Sequence, residues 1–113
     1  MPISHQDIGE KLRRIAITGR LDVAGTDTVA TQLAALAAAK NSVVVDLTSV
    51  QFLASIGIRA LISTAKEVQQ RGGKMVLVVA GGSSVVMSLE ATGVNELIPV
   101  FRSAADAERA ALA

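Results

Sequence analysis

The sequence predicts an α/β fold: a mostly parallel sheet of four to five strands with an antiparallel N-terminal edge, flanked by about four helices. Two observations support this prediction. Short β-branched runs alternate along the chain with segments that have the 3.6-residue periodicity of helices. Half of the 113 residues are hydrophobic but only 2% are aromatic, which favours helices packed closely on a Val-rich sheet. Strands that alternate with helices in this way are joined by right-handed crossovers.

The N-terminal third predicts two strands followed by a helix. Residues 3–8 are expected to form an edge strand, which a turn joins to a second strand over residues 12–18. Residues 19–25 then form a loop. A helix is expected up to about Lys40, because apolar residues recur there at helical spacing, and Thr26 is expected to be its N-cap. These positions are Val29, Leu33, Leu36 and Ala37.

The middle of the chain predicts a buried strand, the strongest helix and a second buried strand. Residues 42–46 are expected to form a strand, because the run of three β-branched valines between Ser42 and Asp46 suits a strand covered on both faces. A loop over residues 47–54 leads into the helix, which Gly72 and Gly73 end. Residues 74–79 form the next strand. The apolar face of the helix consists of Ile58, Leu61, Ile62, Ala65 and Val68.

The C-terminal third predicts a third helix, a last strand and a fourth helix. Ser83 or Ser84 can cap a short helix that ends at Gly93. Residues 98–101 are expected to form a strand and residues 103–112 an Ala-rich helix. Functional loops are expected at the carboxyl ends of the parallel strands.

Composition argues against several function classes. The chain has no cysteine and only one histidine, His5, so we expect no disulfide, no metal site and no cofactor. The net charge is +1 and stacking aromatics are few, so we expect no nucleic-acid partner. No segment has the pattern of a transmembrane helix or a signal peptide. We therefore expect no membrane association and a cytoplasmic location.

Catalytic motifs are weak, and we expect the protein not to be an enzyme. Ser55 is followed by the second glycine of a nucleophile elbow but lacks the first, and its only histidine partner would be His5 in an edge strand. The glycines at 72–73 end a helix, whereas those of a phosphate loop open one. Asp22 and Asp46 both follow predicted strands and could converge, but a pair of carboxylates is weak evidence.

Ser55 and its neighbours form the most informative segment. A serine directly before a helix is explained well by N-capping. Gly57 in the first helical turn costs about 1 kcal/mol relative to alanine, which indicates close approach by another backbone or a ligand. Phe52, Leu53 and Ile56 place apolar side chains around the helix start. A serine at this end of a helix is also electrostatically suited to phosphorylation.

Four short motifs stand in a specific order along the chain. They are Gly19-x-Leu-Asp22, Val43-Val-Val-Asp-Leu47, Val50-x-Phe-Leu-Ala-Ser-Ile-Gly57 and Gly72-Gly-x-Met-Val-Leu77. In this order and spacing they resemble the STAS family, named for sulfate transporters and anti-sigma-factor antagonists. The resemblance covers nearly the whole chain and implies a single STAS domain over residues 1–113.

The resemblance implies a phosphorylation-controlled switch. In anti-sigma-factor antagonists of this family, the serine matching Ser55 is phosphorylated by an anti-sigma factor that is also a serine kinase, and a phosphatase reverses this. The unphosphorylated form sequesters the kinase. The family often has an acidic residue where this chain has Ala54. The expected partner-binding residues are Asp22, Phe52, Leu53, Ile56, Gly57 and Arg59.

Two alternatives stay open. The first is a STAS subunit that is never phosphorylated and belongs to a transporter or scaffold complex. The second is a small-ligand or nucleotide binder that uses the Gly81–Ser84 turn, which follows a strand and opens a helix but carries no lysine. A tight turn followed by an N-cap explains the same four residues.

Overall fold

A twisted sheet forms the centre of the computed structural model, which describes residues 2–113. Within these residues the chain forms five strands, and they lie in the sheet in sequence order. The first strand pairs antiparallel with the second, and every other pair is parallel. This confirms the predicted mostly parallel sheet with an antiparallel N-terminal edge. The strands are β1 (Ile3–Ile8), β2 (Leu12–Leu21), β3 (Ser42–Leu53), β4 (Lys74–Val78) and β5 (Val100–Phe101).

Five helices in the described chain connect and cover these strands. They are α1 (Val23–Ala38), α2 (Ser55–Gln70), α3 (Ser84–Thr92), α4 (Val94–Leu97) and α5 (Ala104–Leu112). The first four contribute to a large core on one face of the sheet, and α5 covers the other face. The sequence predicted about four helices. The additional one is α4, whose four residues are too few to show a helical period.

Aliphatic side chains fill both cores, as the near absence of aromatics requires. On the larger face, buried residues of α1 and α2 pack on β2, β3 and β4. The predicted apolar face of α2 is half-buried at Ile62 and fully buried at its other four positions, Ile58, Leu61, Ala65 and Val68. On the smaller face, Leu12, Val44 and Val76 pack against Ala107 and Ala111 of α5. Alanine on α5 lets the helix backbone approach the sheet closely.

Strands β2 and β3 extend further than the sequence indicated. The predicted loops over residues 19–25 and 47–54 are wrong, because β2 runs to Leu21 and β3 to Leu53. The extension pairs only these two strands with each other, and its register shifts twice. Bulges of this kind break the period-2 alternation. Burial then falls on every third residue of β3, at Leu47, Val50 and Leu53, a spacing that does not identify a strand.

Two predicted helix caps are displaced. Thr26 is buried inside α1, whose N-cap is Asp22. Ser55 is the first residue of α2 rather than its cap, because the extended backbone at the helix start belongs to Ala54. The cap of α3 is confirmed as Ser83, whose hydroxyl accepts a hydrogen bond from the Val86 amide.

Candidate functional site

The carboxyl ends of β2 and β3 bring the starts of α1 and α2 together. Leu21 and Leu53 are cross-strand partners at the last position of the ladder. The Ala54 amide donates a hydrogen bond to the Leu21 carbonyl at 3.0 Å. Each strand is followed almost at once by its helix, so Asp22 and Ser55 lie one and two residues beyond paired strand ends.

Gly57 allows α2 to approach β2 this closely. A Cβ atom at this position would lie 2.9 Å from the Leu21 Cβ and 2.9 Å from the Leu53 Cδ1. Both distances are shorter than ordinary van der Waals contacts. The close approach that the sequence indicated at Gly57 is therefore an approach by the end of β2. It holds the first turn of α2, which contains Ser55, against the ends of β2 and β3.

Ser55 is exposed at the first turn of α2. Its neighbour Ala54 has no polar side chain, and no side chain of residues 2–113 caps the start of this helix. The interpretation of Ser55 as a plain N-cap is therefore wrong. The amides of the first turn remain available to an acceptor, and the helix dipole favours negative charge at this end.

Two apolar side chains flank Ser55. Phe52 is 37% exposed and Ile56 is 38% exposed, both high values for large hydrophobic residues. At the start of α1, Val23 is 68% exposed. Exposed apolar groups beside a polar centre are typical of protein-binding surfaces.

Arg20 links the aromatic and acidic residues of this surface. Its guanidinium lies over the Phe52 ring, and its Nε is 3.6 Å from the Asp22 carboxylate. The Gly25 amide donates a hydrogen bond to Asp22 Oδ1 at 2.9 Å. This hydrogen bond, with the charge of Arg20, holds the pKa of Asp22 below its usual range. The carboxylate therefore stays ionised at neutral pH.

The seven residues named from the sequence divide into an exposed set and a buried set. Leu53 is 3% exposed and Gly57 is buried, so these two support the surface from beneath. Asp22 is half-buried. The exposed members are Phe52, Ser55, Ile56 and Arg59. Sequence reasoning missed Arg20 and Val23, because only the unpredicted extension of β2 and the earlier start of α1 place them here.

Asp46 does not join this site. It lies opposite Ala16 in the middle of β3, about 20 Å along the strand direction from the end that carries Asp22. Its carboxylate accepts hydrogen bonds from the amide and hydroxyl of Thr48. The two aspartates, which could have converged on one site, therefore do not. His5 is likewise remote, since it pairs with Ile15 on β1.

Hydrogen bonds of the Ser83 and Ser84 hydroxyls fix the Gly81–Ser84 turn. Ser83 caps α3, and the Ser84 hydroxyl donates a hydrogen bond to the Gln51 carbonyl of β3 at 3.0 Å. The turn therefore joins α3 to the strand that carries Phe52. No cluster of three potential metal ligands occurs among the residues described. Over the same part of the chain, no helix combines the length and hydrophobicity that a membrane span requires.

Comparison with known proteins gives a consistent picture of the fold. The model of the STAS domain family matches residues 7–107. An anti-sigma factor antagonist from Mycobacterium paratuberculosis superposes with a TM-score of 0.84 at 21% identity, over 98% of this chain and 95% of that one. The phosphorylated form of the Bacillus cell fate determinant SpoIIAA superposes with a TM-score of 0.69 at 13% identity, over 96% and 98%.

A transport protein shares the same fold. A sulfate transporter family protein from Wolinella succinogenes superposes with a TM-score of 0.72 at 18% identity, over 95% of this chain and 89% of that one. The search of curated proteins found no significant match to the sequence. At these identities the solved structures show a shared fold. The kind of partner has to be inferred from the chemistry of the surface around Ser55.

Proposed function

The chain belongs to the STAS domain family, and from that premise we propose that it is an anti-sigma factor antagonist. In this proposal the protein is a non-enzymatic switch that sequesters an anti-sigma factor with serine kinase activity. Ser55 is the modified residue. The switch operates in the cytoplasm and controls transcription by releasing a sigma factor.

The position of Ser55 is the observation that carries this proposal. Its hydroxyl lies at the exposed, uncapped start of α2, next in sequence to the exposed Ile56 and three residues after the exposed Phe52. A kinase can reach a hydroxyl in this position without unfolding any element. The same partner can bury the two apolar side chains and so gain affinity from their removal from water.

Phosphorylation changes this surface without moving the backbone. Ser55 Oγ attacks the γ-phosphorus of ATP held by the partner, loses its proton, and ADP leaves. The new group adds about −1.5 to −2 charges next to two apolar side chains and beside the ionised Asp22. Burying that charge in the partner interface is costly, so the complex dissociates. A phosphatase restores the hydroxyl by hydrolysis.

Asp22 has a separate place in the proposal. Its carboxylate is fixed by the Gly25 amide and lies on the strand end next to the one that leads to Ser55. It can accept hydrogen bonds from a cationic or amide group of the kinase. Arg59 follows Ser55 by one helical turn and is exposed, so it marks the far side of the same surface.

Phosphosite mapping by mass spectrometry tests the proposal. The protein is purified from its native host during growth and under stress, and intact mass is measured before digestion. The expected result is one phosphate on Ser55 whose occupancy changes with condition. Ser63, which is exposed in the middle of α2, is the internal control and should stay unmodified. An unmodified Ser55 in every condition would contradict the proposal.

Two observations favour a second function. The fold is shared with the Wolinella succinogenes sulfate transporter family protein, and Ala54 replaces the acidic residue that often precedes the phosphorylated serine. A STAS subunit of a transporter or scaffold complex would show no phosphate on Ser55. It would instead co-purify with its complex at constant stoichiometry in all conditions.

A further inference from the structure

A cavity of about 540 Å³ opens at the carboxyl ends of β4 and β5. Val79 follows β4 directly, Val100 belongs to β5, and α3 and α4 supply the remaining walls. Ligands of parallel α/β sheets bind outside the carboxyl ends of the strands. The volume lies within the range of ordinary small-molecule sites. The residues around the candidate phosphorylation site form what we call the Ser55 surface: Arg20, Asp22, Val23, Phe52, Ser55, Ile56 and Arg59. No residue of the Ser55 surface lines the cavity, so what the cavity binds is independent of the proposed function.

The cavity combines an apolar floor with charged walls. Val86 and the half-buried Val100 present apolar surface to the cavity, above Val79 and Leu89, which are buried in the core. Around them stand two carboxylates and one guanidinium, from Glu90, Glu96 and Arg102. None of these three forms an ion pair with another residue in the range 2–113. Free charges of both signs around an apolar floor suit a ligand that is itself charged at both ends.

We propose that this cavity binds a small zwitterion with a branched apolar body, of the amino-acid class. The apolar body rests on Val86 and Val100. The ammonium group donates hydrogen bonds to the carboxylates of Glu90 and Glu96, since an ammonium has three donors and no acceptor. The carboxylate of the ligand receives the planar donors of Arg102, a geometry that favours two parallel hydrogen bonds.

The charges of the cavity disfavour a nucleotide. Two carboxylates repel phosphate groups, and no aromatic side chain lines the cavity to stack a base. The nearby turn gives no phosphate cradle, because the Ser83 hydroxyl occupies the start of α3. The Arg102 side chain instead extends along Gly81, where an added Cβ would lie 3.6 Å from its Cδ.

Three matched probes test the proposal on the full chain by ¹H–¹⁵N NMR titration. L-leucine carries both charges, isoamylamine lacks its carboxylate, and 4-methylpentanoate lacks its ammonium. For a ligand this small we expect a Kd of about 1 mM for L-leucine. Isoamylamine and 4-methylpentanoate should each bind several-fold more weakly. The shifted amides should be those of Val79, Leu89, Glu90, Glu96, Val100 and Arg102.

Charge-removing variants test which groups are responsible. Glu90→Gln, Glu96→Gln and Arg102→Gln should each weaken L-leucine binding about two- to five-fold, as expected for partly solvated ion pairs. Glu67→Gln removes a carboxylate from an exposed position of α2 outside the cavity and should leave Kd unchanged. The NMR spectrum of each variant reports directly that it is folded.

Three results would overturn the proposal. The first is no shift of the cavity amides at about ten times the expected Kd. The second is equal affinity for L-leucine and 4-methylpentanoate, which would deny any role to the two carboxylates. The third is the same Kd in the three cavity variants as in Glu67→Gln.

Discussion

The guanidinium of Arg20 lies over the ring of Phe52, 4.5 Å from the ring centroid, and the two residues are cross-strand partners in β2 and β3. The same guanidinium is 3.6 Å from the carboxylate of Asp22. One side chain therefore connects the aromatic and the acidic residue of the Ser55 surface.

A double-mutant cycle measures the contact between Arg20 and Phe52. Cation–π pairs at exposed sites contribute about 0.5–1 kcal/mol, so Arg20→Gln and Phe52→Leu should couple by about that amount in the free energy of unfolding, measured with urea. The matched control is Lys66→Gln with Phe52→Leu, because Lys66 is an exposed cation farther along α2. Strict additivity in both cycles would show that the contact contributes nothing.

Substitution of Ser55 tests the proposed switch. Ser55→Asp should weaken binding to the anti-sigma factor kinase at least about tenfold, because it adds negative charge between Phe52 and Ile56. Ser55→Ala should bind as well as the unmodified chain. Isothermal titration calorimetry with the purified kinase gives both affinities. Ser63→Asp places the same charge mid-helix and should have no effect; equal affinity of Ser55→Asp and Ser55→Ala would refute the charge mechanism.

We expect Gly57→Ala to destabilise the protein, although alanine normally stabilises a helix relative to glycine. Alanine inside a helix is favoured over glycine by about 1 kcal/mol, but here the added Cβ would lie 2.9 Å from the Leu21 Cβ. We expect a net destabilisation of about 1–3 kcal/mol, as for other overpacked positions. Gly81→Ala is the control, since its Cβ would meet Arg102 at an ordinary 3.6 Å. Thermal unfolding that ranks the two variants equal would disprove the close approach.

The elements predicted well from the sequence are those whose burial follows a simple period. The apolar face of α2 is buried at Ile58, Leu61, Ala65 and Val68, as the spacing of these residues indicated, because one face of the helix packs on the sheet. The strand that continues from Asp46 to Leu53 could not be predicted in the same way. Bulges in the β2–β3 ladder change its period, and no local residue preference reveals a bulge.

The residues of the candidate site also divide into those that could be found from the sequence and those that could not. Phe52, Ser55 and Ile56 could be found from the sequence because they lie within five residues of each other at the start of a strong helix. Arg20 could not, since its place beside Phe52 depends on cross-strand register. The cap position also depends on backbone geometry: Ala54 has the extended conformation of a cap, whereas serine has the residue preference for one.

Asp22 predicts a pH dependence of stability. Its pKa in the folded protein is lowered, chiefly by the Gly25 amide and then by Arg20. A lowered pKa means that the carboxylate stabilises the fold fully above the pKa of an unfolded aspartate and that this contribution is lost as the pH falls from there through the lowered pKa of the folded protein. Asp22→Asn keeps an oxygen that can cap α1 but removes the charge. Urea midpoints should therefore decline less steeply towards acid in Asp22→Asn than in the unmodified chain.

Asp7 provides the comparison for that measurement. The hydrogen bond from Arg13, at 2.7 Å, holds the pKa of Asp7 below its usual range as well. Asp7→Asn should remove a second share of the acid sensitivity, and the double variant should have the flattest profile. If the profiles of all three variants coincide with that of the unmodified chain, neither carboxylate is linked to folding.

We expect that replacing the buried Thr26 by an apolar residue stabilises the protein. The residue is 4% exposed within α1, and its hydroxyl has no hydrogen-bond partner among residues 2–113. A buried hydroxyl without a partner is destabilising, and valine replaces it by a methyl group of similar size. We expect Thr26→Val to raise the free energy of unfolding by about 1 kcal/mol.

Thr64 is the matched control for that substitution, because it is equally buried in α2 but its hydroxyl donates a hydrogen bond to the Ala60 carbonyl at 2.8 Å. Thr64→Val therefore removes a hydrogen bond and should be neutral or destabilising by up to about 1 kcal/mol. The two variants differ only in whether the lost hydroxyl had a partner, so urea denaturation should give them opposite signs. A loss of stability in Thr26→Val as large as that in Thr64→Val would mean that the Thr26 hydroxyl is hydrogen-bonded in solution.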